Sequence, residues 1–272
     1  MIGNAAPVQD TQTGRIWLPF CRNNEEVFLT YSDDDGETWI PPTLQPQLVG
    51  EGWKWVGLGP PAGLQLTNGR LVIPSYHTTL WKGDGCASRG HTLISDDHGQ
   101  NWRIGSSNFG EPFFSNECQA VELRNGSLLI NARVVSAHRL QVISNDGGET
   151  FEEPYIVPDL VETIEGCEGS IVKDPSTGFL YFSIPNFRGI IRQNLTVFQS
   201  LDEGLKWNTY SSVDKGAVAY SAMQFYHKVI SLHGVATFSD QYSLGLLYER
   251  SDVMQTVFEP DEILFWEVQG NV

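Results

Sequence analysis

Six residues of this chain could do chemistry together: Glu117, Arg133, Arg192, Tyr220 and Glu249, with Tyr76 beside them. A guanidinium grips a carboxylate by two parallel hydrogen bonds, a fork that lysine cannot reproduce. A phenol has an ordinary pKa near ~10 and needs a neighbouring carboxylate to take its proton when it reacts. Two arginines, two glutamates and two tyrosines therefore spell anion binding joined to acid–base chemistry. Metal and cofactor chemistry finds no such support, and neither is expected. The six histidines fall at no metal-ligand spacing, and Cys21, Cys86, Cys118 and Cys167 form no C-x-x-C pair. Gly57, Gly59 and Gly63 miss the dinucleotide-binding spacing and are interrupted by Pro60 and Pro61.

The elements that must position these residues are legible from a repeated turn. The pattern Ser-x-Asp-x-Gly-x-x-aromatic occurs as Ser32, Asp34, Gly36, Trp39; Ser95, Asp97, Gly99, Trp102; Ser144, Asp146, Gly148, Phe151; and Ser200, Asp202, Gly204, Trp207. The hydroxyl and carboxylate can cap N–H groups that a tight turn leaves without partners. Glycine accepts a left-handed backbone angle without steric penalty, and the aromatic ring is expected to tuck back onto the sheet. The copies lie 63, 49 and 56 residues apart, a recurrence that blade-forming repeat proteins use. A second motif sits inside each repeat, a turn glycine followed by a short apolar strand: Gly14, Gly69, Gly126 and Gly178. Ahead of the last three run 60–68, 117–125 and 167–177, so each unit reads as a four-stranded antiparallel blade. A final unit without a box runs from Tyr220 through 243–250 to 262–268, which makes about five blades.

Antiparallel threading then separates two faces. The boxes and turn glycines share one end of each blade. About eight residues at ~3.3 Å each carry the chain to the other end, roughly 25 Å away. Glu117 and Tyr220 open first strands there, Tyr76, Arg133 and Glu249 close second strands, and Arg192 begins a third. The six are expected to converge on one rim, and the box aspartates to be structural. Taken singly each has a plain alternative, since a strand-end tyrosine ordinarily packs and a strand-end arginine is ordinarily solvated.

Composition bounds the partners. A chain of 272 residues with net charge −16 argues against nucleic acid and anionic membrane surfaces. The sequence carries no signal-peptide pattern and no bilayer-length apolar run, which favours the cytoplasm and leaves a lysosomal or membrane-associated location open. Four cysteines permit two disulfides, but a core of this size favours free thiols.

At this point the chain resembles the sialidases (neuraminidases) of the bacterial and animal type, glycoside hydrolase family 33. The segments NECQAVELRNGSLLINAR, RGIIRQNLTVFQSLDEG, KGAVAYSAMQ and GLLYE carry the resemblance more specifically than the boxes do. It implies an all-β, six-bladed β-propeller that removes terminal sialic acids from glycoproteins, glycolipids or oligosaccharides with retention of configuration. Residue by residue, it makes Tyr220 the nucleophile, Glu117 its partner base, and Arg133 and Arg192 two of three arginines that clamp the sialic acid carboxylate. Glu249 steadies the remaining arginine, and Tyr76 falls where relatives contact the sugar's side groups. A neutral tyrosine suits an anomeric carbon that bears a carboxylate, and sialidases are the recognised tyrosine-nucleophile exception among glycosidases.

The resemblance also exposes a difference. Relatives carry, ahead of the region where this chain starts, an Arg-Ile-Pro strand and a loop with the acid/base Asp, and neither is found here. The expectation is a single domain over residues 1–272 that lacks the family's first blade. Its partner is a sialylated glycan, and its function is that of an exo-α-sialidase. The alternative is a catalytically impaired, sialic-acid-binding propeller. A purely structural interaction propeller is the third reading. Trp53 and Trp55 fit an aglycone wall or core packing equally, and oligomeric state is not readable.

Overall fold

The structure, a computed structural model, describes residues 1–80, 88–232, 235–254 and 258–268, with side chains left undescribed at 229–238 and 240. The chain is all-β and divides into two compact units, Met1–Pro158 and Asp159–Val272. A single 3-10 turn at Pro46–Leu48 is the only helical element among the described residues.

Unit one holds three antiparallel sheets. The first orders β1 (Ile2–Gly3), β3 (Ile16–Arg22), β4 (Glu26–Ser32) and β5 (Thr43–Leu44), with β2 (Val8–Gln9) also on β3. The second comprises β6 (Trp55–Leu58), β7 (Leu64–Gln65), β8 (Leu71–Thr78), β9 (Ser88–Ser95) and β10 (Arg103–Ile104), and both β6 and β7 pair with β8. The third runs β11 (Cys118–Glu122), β12 (Leu128–Ala132), β13 (His138–Ser144) and β14 (Tyr155–Val161), and the unit boundary falls within β14. Alternation along the strands builds the core. On β8, Leu71 and Ile73 join Trp17, Val27, Val56, Leu58 and Leu93, whereas Val72 points the other way to Leu128, Ile130 and Leu140. β8 is buried along its whole length, as a strand covered on both faces must be.

Unit two is one six-stranded sheet: β15 (Ser170–Lys173), β16 (Leu180–Pro185), β17 (Gln193–Ser200), β18 (Asn208–Leu232), β19 (Val235–Ser251) and β20 (Glu262–Glu267). Its core gathers Leu195, Val197, Val218, Met223, Leu244 and Leu246. The strand sets of the expected fourth and fifth units are both present, but they are not separate sheets. β18 pairs with β17 from Asn208 to Ala217 and with β19 from Ala217 onward, so one strand closes the fourth unit and opens the fifth. The first strand of the second unit also differs from the expected 60–68 run. It begins at Trp55 and is split into β6 and β7 around the Pro60–Pro61 segment, where proline withholds the N–H a ladder needs.

The repeated turn has the same internal bonding in all four copies. The serine hydroxyl accepts the glycine N–H, from Gly36 at 2.9 Å and from Gly99, Gly148 and Gly204 at 2.8 Å. It donates in turn to the aspartate, from Ser32 to Asp34 at 2.7 Å and from Ser200 to Asp202 at 2.9 Å. The aspartate also accepts an N–H four residues on, from Thr38 and Asn101 at 2.8 Å and from Thr150 and Lys206 at 2.9 Å. Bonds from the Thr38 hydroxyl and amide and from Ser32 hold Asp34 down at about 2. The ring of the first box does not return to the sheet. Trp39 folds onto its own turn, donating to the Gly36 carbonyl at 3.0 Å, and stays 40% exposed.

Within unit one the boxes also join neighbouring sheets. The Trp17 indole, from β3, donates to the His98 carbonyl at 3.0 Å, and His98 Nδ1 lies 2.8 Å from the fully buried Asp10. Arg70, ahead of β8, donates to the carbonyls of Asp146 and Gly147 in the third sheet's box at 3.1 and 3.2 Å. Cys21, Cys118 and Cys167 are buried free thiols, and Cys86 lies outside the described residues. No helix of the described residues is long and apolar enough to cross a membrane, and no cluster of three metal-ligating side chains occurs among them.

Two consequences can be measured. Gly99 has φ +83° and a Cβ there would land on the Trp17 indole, so Gly99→Ala combines backbone strain with a clash. It should destabilise by about 2–4 kcal/mol in urea unfolding. The second concerns His77 and His91, whose Nδ1 atoms lie 3.2 Å apart beneath Trp53, stacked on His77 at 3.7 Å. One nitrogen must donate and the other accept, so the pair cannot hold a proton on both. Burial, with the Arg89 charge adding, pushes His77 down to about 4, and burial next to His77 holds His91 well below its ordinary value. The unfolded chain takes up these protons near ~6.5 and the folded chain does not. The pair's contribution is thus fully present above that pH and is lost as pH falls toward 4. Melting temperature should drop between pH ~7 and ~4.5, with a shallower slope in His91→Gln.

Candidate functional site

Each unit brings three of the six expected residues together. In unit one, Glu117 immediately precedes β11 and Arg133 immediately follows β12, and the ladder continues one step past both strands. The Arg133 amide donates to the Glu117 carbonyl at 2.8 Å, and its Nη1 donates to Glu117 Oε2 at 2.7 Å. The ion pair is well shielded, with side-chain exposures of 19% and 7%. A carboxylate this deep is tolerable because a charged partner and hydrogen bonds replace its water.

Tyr76 lies two residues before the end of β8, opposite Gly57 on β6. A Cβ at Gly57 would land on the phenol ring, so only glycine leaves it room. Burial, with the Glu117 charge adding, pushes the Tyr76 phenol far above its ordinary range. Its oxygen accepts hydrogen bonds from Asn4 Nδ2 at 2.9 Å and from the Trp55 indole. Tyr76 is therefore a neutral, fixed phenol. Trp55 is thereby tied to the candidate site, whereas Trp53 stacks on His77. Sequence reasoning missed Asn4 altogether, because an asparagine in a polar N-terminal stretch gives no periodic or motif signal.

In unit two, Arg192 immediately precedes β17, Tyr220 lies within β18 and Glu249 is two residues from the end of β19. The Arg192 guanidinium sits over the Tyr220 ring, 5.5 Å from its centroid. The Tyr220 amide donates to Glu249 Oε2 at 3.3 Å, and the Arg192 carbonyl accepts the Val218 amide at 3.2 Å. Tyr220 does not open its strand as expected but stands in a β-bulge. Val218 faces Arg250 and Ser221 faces Tyr248, which leaves Ala219 and Tyr220 opposite Glu249 alone. The arrangement offers a cation and a phenol side by side, with a carboxylate holding the backbone beneath them.

Comparison with known proteins gives the family. The BNR repeat-like domain family matches residues 1–230. The chain is similar to mouse Sialidase-3, 32% identical over 62% of this chain and 47% of that protein. It is also similar to mouse Sialidase-2, 30% identical over 94% of this chain and 73% of that protein. The chain thus spans about half the length of several curated relatives it matches. Among solved structures, the Hadza microbial sialidase Hz136 superposes with TM-score 0.74 at 25% identity, covering 92% of this chain and 50% of that one. The Trypanosoma rangeli sialidase in complex with sialic acid shares the fold, with TM-score 0.65 at 19% identity over 93% of this chain and 43% of its own. An all-β chain of blade-like sheets, box turns and these relatives together identify it as a member of the sialidase family, with the β-propeller type of fold.

Proposed function

We propose that the protein acts on sialylated glycans as an exo-α-sialidase, with Tyr220 as nucleophile. In this reading Arg133 and Arg192 receive the carboxylate that sialic acid carries on its anomeric carbon. Each guanidinium has five N–H donors, so the Arg133 bond to Glu117 and a substrate carboxylate are compatible. The Tyr220 oxygen attacks the anomeric carbon as Glu117 takes the phenolic proton, and the glycosidic bond breaks as the departing glycan oxygen takes a proton from solvent. Water then adds to the anomeric carbon and loses a proton to solvent, Glu117 returns its proton to the phenol oxygen, and sialic acid leaves with net retention. Glu249 holds the nucleophile's backbone. Tyr76, neutral and fixed by Asn4 and Trp55, meets the sugar's side groups. The observation that carries the reading is Arg192 over the Tyr220 ring at 5.5 Å, a cation set beside a phenol that a bulge lifts out of strand alternation.

A second reading keeps the grip and drops the turnover. Glu117, the base the phenol needs, is engaged by Arg133 at 2.7 Å, which occupies one of the two oxygens that would take the proton. One experiment separates the two. Release of fluorophore from a sialoside is followed alongside calorimetric titration with sialic acid. Under the first reading turnover is measurable and Tyr220→Phe lowers kcat by roughly three orders of magnitude. Under both readings Arg192→Ala weakens binding by roughly thirtyfold. Absence of both turnover and saturable binding in the wild-type chain rejects the sialic acid site.

A further inference from the structure

Tyr220 needs more than its ring partners, because beyond Ala217 β18 has lost the β17 ladder on the side away from β19 and its amides there need other acceptors. The acceptors come from side chains. The Ser221 amide donates to Glu168 Oε2 at 2.8 Å, and the Met223 amide donates to Ser170 Oγ at 3.0 Å. Ser170 opens β15 and Glu168 lies two residues ahead of it, and together their side-chain oxygens serve this part of β18 where no strand pairs with it on that side. The Ser221 hydroxyl is bonded in turn to that of Ser183, from β16, at 2.8 Å. All four side chains are dry: Glu168 is 1% exposed, Ser170 and Ser183 0%, and Ser221 4%.

We propose that Glu168 is a positioning residue for Tyr220, its buried carboxylate fixing the bulge from which the phenol projects. The bulge is pinned on both sides of the tyrosine, at Val218 by the Arg192 carbonyl and at Ser221 by Glu168. A hydrogen bond to a side-chain oxygen in a water-excluded place is stronger than the same bond exposed to water. Two carboxylates thereby take consecutive N–H groups, Glu249 that of Tyr220 and Glu168 that of Ser221. Neither needs to touch the substrate to set where the phenol oxygen lies. The role in turnover rests on Tyr220 being the nucleophile proposed above, whereas the geometric role does not.

The test uses the full chain with Glu168→Ala, Glu168→Asp and Glu168→Gln, and 3-fluorotyrosine placed at 220. Glu168→Gln keeps an acceptor at the same reach, Glu168→Asp withdraws it by one methylene, and Glu168→Ala removes it. The alanine and aspartate variants should shift the fluorine resonance and speed hydrogen exchange at the Ser221 amide, and glutamine should restore both. With a turned-over sialoside, kcat should fall by about tenfold to a hundredfold in Glu168→Ala while KM stays within about threefold. If alanine prevents folding, the aspartate variant carries the same comparison. A wild-type fluorine resonance and Ser221 exchange in Glu168→Ala or Glu168→Asp overturn the assignment. A wild-type chain without turnover refutes the proposed activity, and the fluorine and exchange measurements still decide the role of Glu168.

Discussion

The structure depends on side-chain oxygens that accept backbone N–H groups where the ladders cannot. In each box one serine hydroxyl holds the glycine amide and one aspartate holds the amide beyond it. Such a group left unpaired in the interior would destabilise the fold by about 1–3 kcal/mol, so four boxes decide whether the sheets can be capped at all. Glycine makes the arrangement affordable in space, with φ of +89°, +83°, +95° and +91° at Gly36, Gly99, Gly148 and Gly204. Because the Trp17 indole and the Arg70 guanidinium bind the carbonyls of the next box, the same turn that ends one sheet also fixes its neighbour in unit one.

The same device recurs at the candidate site with carboxylates in place of hydroxyls. Glu249 and Glu168 receive the amides of Tyr220 in the bulge and Ser221 beside it, and Glu117 receives the Arg133 guanidinium. Three glutamates in a strongly acidic chain thus each hold a backbone amide or a guanidinium in place. What distinguishes Arg192 is that its guanidinium faces an aromatic ring and enters no ion pair among the described residues.

Much of the fold was legible because its signals are local. The Ser-x-Asp-x-Gly spacing predicts its own hydrogen bonds, and Gly14, Gly69, Gly126 and Gly178 all adopt the left-handed backbone that their turns require. The bonds of Arg133 to Glu117 and of the Tyr220 amide to Glu249 were not expected from the sequence, which pointed only to a shared rim. The failures lie where tertiary context overrides the pattern. The split at Pro60 and Pro61, the run of β18 through two units and the bulge at Tyr220 all depend on which partner strand is present. Asn4 and Glu168 were invisible because their importance comes from what packs on them.

β18 has a consequence for how this chain can diverge. Repeat proteins ordinarily vary by changing the length of the connections between units, since a longer connection alters little else. Between the fourth and fifth strand sets there is no connection to lengthen, because Ala217 pairs with both Gln193 and Ser251. An inserted or deleted residue there would invert the facing of every side chain beyond it, Tyr220 included. Evolutionary tinkering at this junction is therefore confined to substitution, and changes in length must be absorbed at the surface turns of the sheets.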